Sequence, residues 1–519
     1  TVVESHYLPG GAAHSFKAKG PCGGTYTFDA GPSFFLGLSG PPGTSSNPLK
    51  QVLDVVGEKV ECKQYDRWIV YAPDSSTVAG AGSSSTSGAG SAQTYRTFPC
   101  VAGRQAYIDN IRAQGGEEAV RQWLALEKVL EPLQKGAALF PAAAIRADPG
   151  LALTGARFLG LDLLTTALVA GDLTGPFGRV VDRVVTNPWL KSFLDLECFV
   201  LSGMTARDTL TAEMAFMFLE RNSGRSAIDY PMGGSGSIIS ALVRGIEKHG
   251  GRVMLRAHVE QVLTEGGRAS GVRLRQRPGS APEVITARRG VISNASTWDT
   301  QKLLAPGVAP AEWKRACEAT PALDSFVHLH LGIDATGLPP DLECHHLVVN
   351  SWADVTATHN VCIASIPTVF DPRMAPAGKA VVHAYYAANE PYDVWRGVAR
   401  GSQAYEALKA ERSEPLWRAL ERVIPDIRRR AELVMVGTPL THARFLRRHR
   451  GTYGPGISAA EGGTWPGPAT PVPGLYVCGD STMPGIGVPA AAASGMMAAN
   501  SLASVWQHLS LLDDLLPKK

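Results

Sequence analysis

The chain has no C-x-x-C pair, and its cysteines (Cys22, Cys62, Cys100, Cys198, Cys317, Cys344, Cys362 and Cys478) share no ligand spacing with histidine. That argues against a disulfide scaffold or a zinc site and makes reduced, buried thiols the expectation. Charge bias is missing too: 50 Lys+Arg against 47 Asp+Glu leave a formal net charge of +3, too little to draw nucleic acid or acidic partners. The basic run Arg444–Arg450 is not interleaved with a set of stacking aromatics, so it reads as a solvated or cofactor-proximal loop. There is no uninterrupted apolar stretch of about 20 residues, the length a spanning helix needs. The most apolar region, Leu151–Leu173, is broken by Arg157, Asp162 and Asp172 and reads either as buried helix or as a surface that touches a bilayer. No Ser-His-Asp set or carboxylate pair stands out, so no catalytic residue is assigned. His345-His346 read as loop or surface residues, and no metal ligands are assigned.

What is present is a globular composition, 45% hydrophobic and 19% charged over 519 residues, enough for one large or two closely joined domains. The stretch that organises the chain is Gly474-Leu-Tyr-Val-Cys-Gly479-Asp480-Ser-Thr-Met-Pro-Gly485-Ile-Gly487-Val488-Pro489, followed by an Ala-rich segment to Leu502. Leu475–Cys478 reads as a buried parallel strand with Gly479-Asp480 at its carboxyl edge, where ligands bind in open α/β sheets. The Gly/Pro loop then opens a closely packed helix whose N-terminal N–H groups face that edge. At the other end, Thr1-Val-Val-Glu4 looks like a strand closing on an acid, followed by Ser-His-Tyr-Leu-Pro-Gly10-Gly11. In dinucleotide-binding folds such an acid takes the ribose hydroxyls about 20 residues after a G-x-G-x-x-G turn. No such turn precedes Glu4. The expectation is that the sequence lacks the first strand, phosphate turn and helix of its fold, whether as a fragment, an incomplete gene model or a real truncation, and binds its dinucleotide poorly unless they are restored.

Taken together, strand, Gly-Asp480, Gly/Pro loop and Ala-rich helix resemble the C-terminal flavin motif of the phytoene desaturase and carotenoid isomerase family. Other segments of the same family are resembled by the E-x(5)-G-G stretch, the Phe28-Asp29-Ala-Gly31 turn, Tyr230-Pro-x-Gly233-Gly234, the run Ala257-His-Val259 and Gly437-Thr-Pro-x-Thr441. The resemblance implies an α/β fold: a Rossmann-like FAD-binding domain of amine oxidase/phytoene desaturase type, interleaved with an α+β substrate domain. It divides the chain into FAD-binding parts at 1–73, 229–300 and 437–519, a flexible insertion at 74–94, a largely helical substrate or membrane-facing region at 95–228, and a substrate-domain sheet with helices at 301–436. The cofactor implied is FAD, with Glu4, Gly10, Gly11, His14, Val259, Gly479, Asp480, Gly487, Val488 and Pro489 as its contacts. Val259 would pair its backbone with adenine, Asp480 would meet the ribityl–pyrophosphate part, and Gly487–Pro489 would face the isoalloxazine. Asp29 and Gly31 read as a turn, with cofactor contact the alternative. The Met/Phe-rich stripe within Asn187–Glu220 reads as core, or else as wall for a long apolar substrate.

The activity implied is cis–trans isomerisation of a carotenoid polyene, in which reduced flavin transiently lends electron density to the double bonds. The partners implied are a lipophilic polyene and a membrane surface, with no nucleic acid, in a plastid. Three alternatives remain open: a carotenoid or retinoid desaturase or saturase, a non-catalytic relative, and an amine oxidase on the same flavin fold.

Overall fold

The computed structural model describes residues 1–21, 23–32, 34–74, 95–139, 141–158, 170–222, 228–276 and 283–515. Nearly all of the expected insertion, and the middle of the apolar region Leu151–Leu173, lie outside the described residues.

The largest sheet has seven strands, in spatial order Ala431–Gly437, Ser325–Asp334, Lys379–Glu390, Val361–Ser365, His345–Val349, Arg67–Pro73 and Tyr95–Val101. All neighbours are antiparallel except His345–Val349 with Arg67–Pro73. Period-two alternation decides which residues face which layer. Val327, Leu329, Leu331 and Ile333 pack with Val382, Ala384, Leu416 and Leu420 on one side, under the Gln403–Val423 helix. His328, His330, His383 and Tyr385 fall on the opposite face by the same count.

The helical layer comes from Arg104–Leu139, kinked at Gly116, with Phe177–Val181, Pro188–Ser202 and Thr211–Asn222. Trp123, Phe193, Phe199, Met214 and Phe218 are buried there with Val70 and Phe98 of the sheet, so these members of the Met/Phe stripe are core. The Pro188–Ser202 helix shows why the local sequence folds as it does. Asn187 caps its start by accepting from Leu190 N–H at 3.0 Å, proline opens it, and Gly203 ends it at φ 76.

Two further strand pairs, expected on the nucleotide side, are short and parallel. Val2–Val3 pairs with Val253–Met254, and Val291–Ser293 pairs with Leu475–Val477. Between the two regions lie the hairpin Ser15–Lys19/Thr25–Asp29 and the helix Gly236–Lys248. Among the described residues no helix is long and apolar enough to cross a membrane.

Candidate functional site: a crevice between two glycine turns

Glu4 follows the Val2–Val3 strand; its N–H donates to the Met254 carbonyl at 2.8 Å, and its carbonyl accepts from Ala257 N–H at 2.9 Å. That places Glu4 beside the segment that opens the Val259–Glu265 strand, so the two residues assigned to the adenosine half lie on adjoining backbone. The Glu4 carboxylate accepts from His6 N–H at 2.6 Å and from the Ser5 hydroxyl at 3.3 Å. The chain then turns through Gly10 (φ 112) and Gly11 (φ 55). A Cβ on Gly10 would lie 2.7 Å from Ile239 Cγ1, so glycine is required both by conformation and by the helix packed against it. His14 closes the turn with Nδ1 2.7 Å from the Gly11 carbonyl, and burial lowers its pKa.

At the other bank, Cys478 N–H donates to Ser293 at 2.9 Å, and Gly479 (φ 98) donates to Ser494 Oγ at 2.8 Å. A Cβ on Gly479 would sit 2.6 Å from Asn294 Nδ2. Gly487 (φ 109) precedes the Val488–Leu502 helix without any side-chain cap, leaving first-turn N–H groups open to a ligand. Val488 and Ala492 pack against an apolar cluster that joins Leu49 and Leu53 of the Pro48–Val55 helix to Ile238 and Ala241 of the Gly236–Lys248 helix, whose Ile239 abuts Gly10. One apolar cluster therefore adjoins both the helix that abuts the first glycine turn and the helix that follows the second.

Asp480 ion-pairs with Arg448 at 2.6 Å. Arg448 in turn donates to the Thr452 and Tyr453 carbonyls at 2.8 and 2.7 Å, which fixes it and the acid together. The charge of Arg448, with His330 and His14, adds to burial in holding His442 down at about 3. His14 from the first turn, Arg448–Asp480 from the last, and His330 from the large sheet are thus electrostatic neighbours.

The wall they share is a stack of buried imidazoles. The His330 and His383 rings lie 4.3 Å apart and 7° from parallel, and the His328 and His383 rings 5.1 Å and 12°. His328 Nδ1 is 2.8 Å from His383 Nε2, and His330 Nε2 is 3.2 Å from the Asp29 carbonyl. Desolvation keeps all of them neutral: His330 falls to about 4, while His328 and His383 fall well below the ordinary value. Candidate ligand nitrogens of the three lie within 4.8 Å of one another. Parallel rings, however, aim their in-plane lone pairs side by side rather than at one point, and His328 and His383 already engage each other. The cluster is a hydrogen-bonded stack, not a preformed coordination sphere. Phe326, Tyr385 and Tyr453 adjoin it. Glu213, whose charge acts on Tyr453, has its carboxyl pushed up to about 8 by burial.

Several expectations need correction. His345 and His346 are neither loop nor surface: they are 0% and 2% exposed on a strand inside the sheet. Ser365 Oγ at 2.9 Å and the Glu343 carbonyl at 2.8 Å supply their partners, and desolvation lowers them to about 3 and 4. Asp29 ends a strand and is buried beneath Ser15, Ser235 and Tyr230, all of which donate to it, so it braces the hairpin against the Gly236–Lys248 helix. The run Arg444–Arg450 is not a plain loop, since it includes the end of the Pro439–Phe445 helix and the partner of Asp480. The histidine stack escaped sequence reasoning; its one sequence signal was His328-x-His330 inside a β-rich run.

The sequence model of flavin-containing amine oxidoreductases matches residues 1–503. The chain belongs to that family. Within it, the chain is 30% identical to the chloroplastic prolycopene isomerase of Daucus carota, over 97% of this chain and 76% of the relative. It is 24% identical to the all-trans-retinol 13,14-reductase of Danio rerio, over 93% and 77%. An oxidoreductase from Methanosarcina mazei shares the fold, with a TM-score of 0.56 at 18% identity, over 96% of this chain and 93% of that one. The family fold is α/β with a Rossmann-like FAD-binding region. The residues present fit a flavin dinucleotide on one structural test: both turns are cleared of side chains by left-handed glycines, and an uncapped helix N-terminus adjoins the second.

Proposed function

We propose that this chain is an FAD-dependent enzyme that isomerises cis double bonds of a carotenoid such as prolycopene, as a peripheral plastid-membrane protein. The observation that carries the reading is the match to a prolycopene isomerase across almost the whole chain, at higher identity than the retinol reductase. Glu4 and Val259 would hold the adenosine half, Asp480 the ribityl–pyrophosphate part, and the Gly487–Pro489 helix start the ring system, with Gly10, Gly11, His14 and Gly479 shaping the crevice. The chemistry a bound flavin supplies is electron exchange with the polyene.

The chain's own residues position and insulate. Imidazoles held neutral line the wall without offering protons, which suits an isomerisation in which no atom is gained or lost. Arg448 holds the Asp480 carboxylate in one orientation. Membrane contact is supported by Leu153 and Trp506, 60% and 77% exposed, on neighbouring helices where Gly150 adjoins Val505.

A second reading, saturation of a carotenoid or retinoid, is favoured by one observation. Saturation needs a proton as well as a hydride, and burial lets Glu213, an electrostatic neighbour of Tyr453, keep its proton near neutral pH. The test is to incubate flavin-loaded protein with poly-cis-lycopene under reducing conditions, then separate isomers and weigh products. New isomers of unchanged mass support isomerisation; a gain of two hydrogens supports saturation; an unchanged profile with flavin bound removes both.

A further inference from the structure

His328 and His383 are bonded to one another, His328 Nδ1 to His383 Nε2 at 2.8 Å, and each is 2% exposed. A neutral imidazole carries one N–H and one bare nitrogen. Whichever ring donates the shared bond, the two outer nitrogens, His328 Nε2 and His383 Nδ1, are left as one N–H and one lone pair. Neither has a hydrogen-bond partner among the described residues, and the buried His442 Nε2 lacks one as well. His330 differs, because its Nε2–H donates to the Asp29 carbonyl at 3.2 Å. The surroundings of the pair are aromatic. Phe326 lies 5.1 Å, Tyr385 5.3 Å and His442 4.8 Å from the His328 ring, and Tyr453 lies 5.2 Å from Phe326. Phe326 and Tyr453 pack in turn against the core shared with the helical layer. Unpaired polar atoms are costly in such a setting, and a wall meant only for hydrocarbon would be better served by leucine or phenylalanine at both positions.

We propose that the His328–His383 pair is a subsite for the hydroxyl group of an oxygenated polyene. A hydroxyl donates one hydrogen bond and accepts others, so it can meet either state of an outer nitrogen, and the flanking rings suit the hydrocarbon next to it. One outer nitrogen is enough for the contact, because the shared bond lets the pair present a donor or an acceptor there by shifting both protons within it. No proton leaves the pair, which keeps the wall compatible with isomerisation. The assignment rests on the carotenoid reading above and narrows it: a hydroxylated carotenoid is preferred over a hydrocarbon one.

The test is binding of the whole chain, with FAD added, to lycopene and to its hydrate rhodopin, which has the same chromophore and one hydroxyl. Affinity is read in detergent micelles by tryptophan quenching, and the imidazole nitrogens are followed by NMR of histidine-labelled protein. The subsite predicts that rhodopin binds about tenfold or more tighter than lycopene, and that rhodopin alone moves the imidazole signals. In H328F/H383F the two carotenoids bind alike, with lycopene no weaker than in the wild type. If that variant does not fold, the wild-type ratio and the imidazole signals decide alone. Equal affinity in the wild type, or signals that rhodopin leaves unmoved, overturns the subsite, leaves water as the partner of these nitrogens and keeps the carotenoid reading. Selectivity that persists in H328F/H383F places the hydroxyl elsewhere and also overturns it. If neither carotenoid binds but farnesol, a shorter isoprenoid alcohol, moves the imidazole signals, the subsite stands and the carotenoid reading falls. Failure of all three to bind overturns both.

Discussion

The seven-stranded sheet and the nucleotide-side strands are built on opposite principles. The sheet has strands up to 12 residues long, layers on both faces, and fully buried Val327, Leu329, Leu331 and Val348. The nucleotide side has parallel pairs of two or three residues per strand, with Val2 44% and Ile292 38% exposed. The first region is held by apolar burial; the second is held by glycine turns, backbone hydrogen bonds and the Arg448–Asp480 pair. The apolar half carries the histidine wall, while the half that would meet the cofactor draws its order from local geometry.

The sharpest way to break the contrast is a pair of truncations. Leu329→Ala removes a side chain with no exposure and should cost about 2–5 kcal/mol in denaturant unfolding, whereas Val2→Ala should change stability by less than about 0.5 kcal/mol. Equal effects would erase the distinction. Next in size is Glu213→Gln. Its folded carboxyl sits at about 8 against an ordinary 4.5, so the native state binds the extra proton and stability falls as pH rises from about 4.5 to 8. Glutamine should flatten that slope and stabilise the protein at pH 8 by on the order of a few kcal/mol, as read by melts across pH. On the saturation reading it also stops hydrogen addition and leaves isomerisation intact.

The histidines act in the opposite sense. With native values near 4 or below, the unfolded chain takes up protons first, so stability is lost as pH falls below about 6.5 and the loss continues toward 4. His345→Asn should soften that acid limb without touching the Glu213 limb. A smaller effect is expected from ligand: FAD at about 100 times its dissociation constant adds about 2.7 kcal/mol, with the gain concentrated in the nucleotide-side strands.

The nucleotide-side elements were legible because each is a local unit: strand, Gly479-Asp480 and helix fall within one run, and Glu4 with Gly10-Gly11 in another. The wall was not legible, because His328, His330, His383 and His442 meet only through the register of two antiparallel strands and a helix that follows them. His345 and His346 misled for a related reason. A polar pair looks exposed until the neighbouring strand supplies Ser365 as a partner. The Arg448–Asp480 pair joins residues far apart in the local pattern, and no spacing announces it.

The turn after Glu4 and the turn after Gly479 would form two sides of one flavin crevice. Hydrogen exchange of the whole chain with and without saturating FAD tests it most directly. Amides in 4–14 and 478–491 should slow together on FAD addition, while the seven-stranded sheet, already protected, changes little. Protection confined to one turn, or absent from both with FAD bound elsewhere, would contradict it.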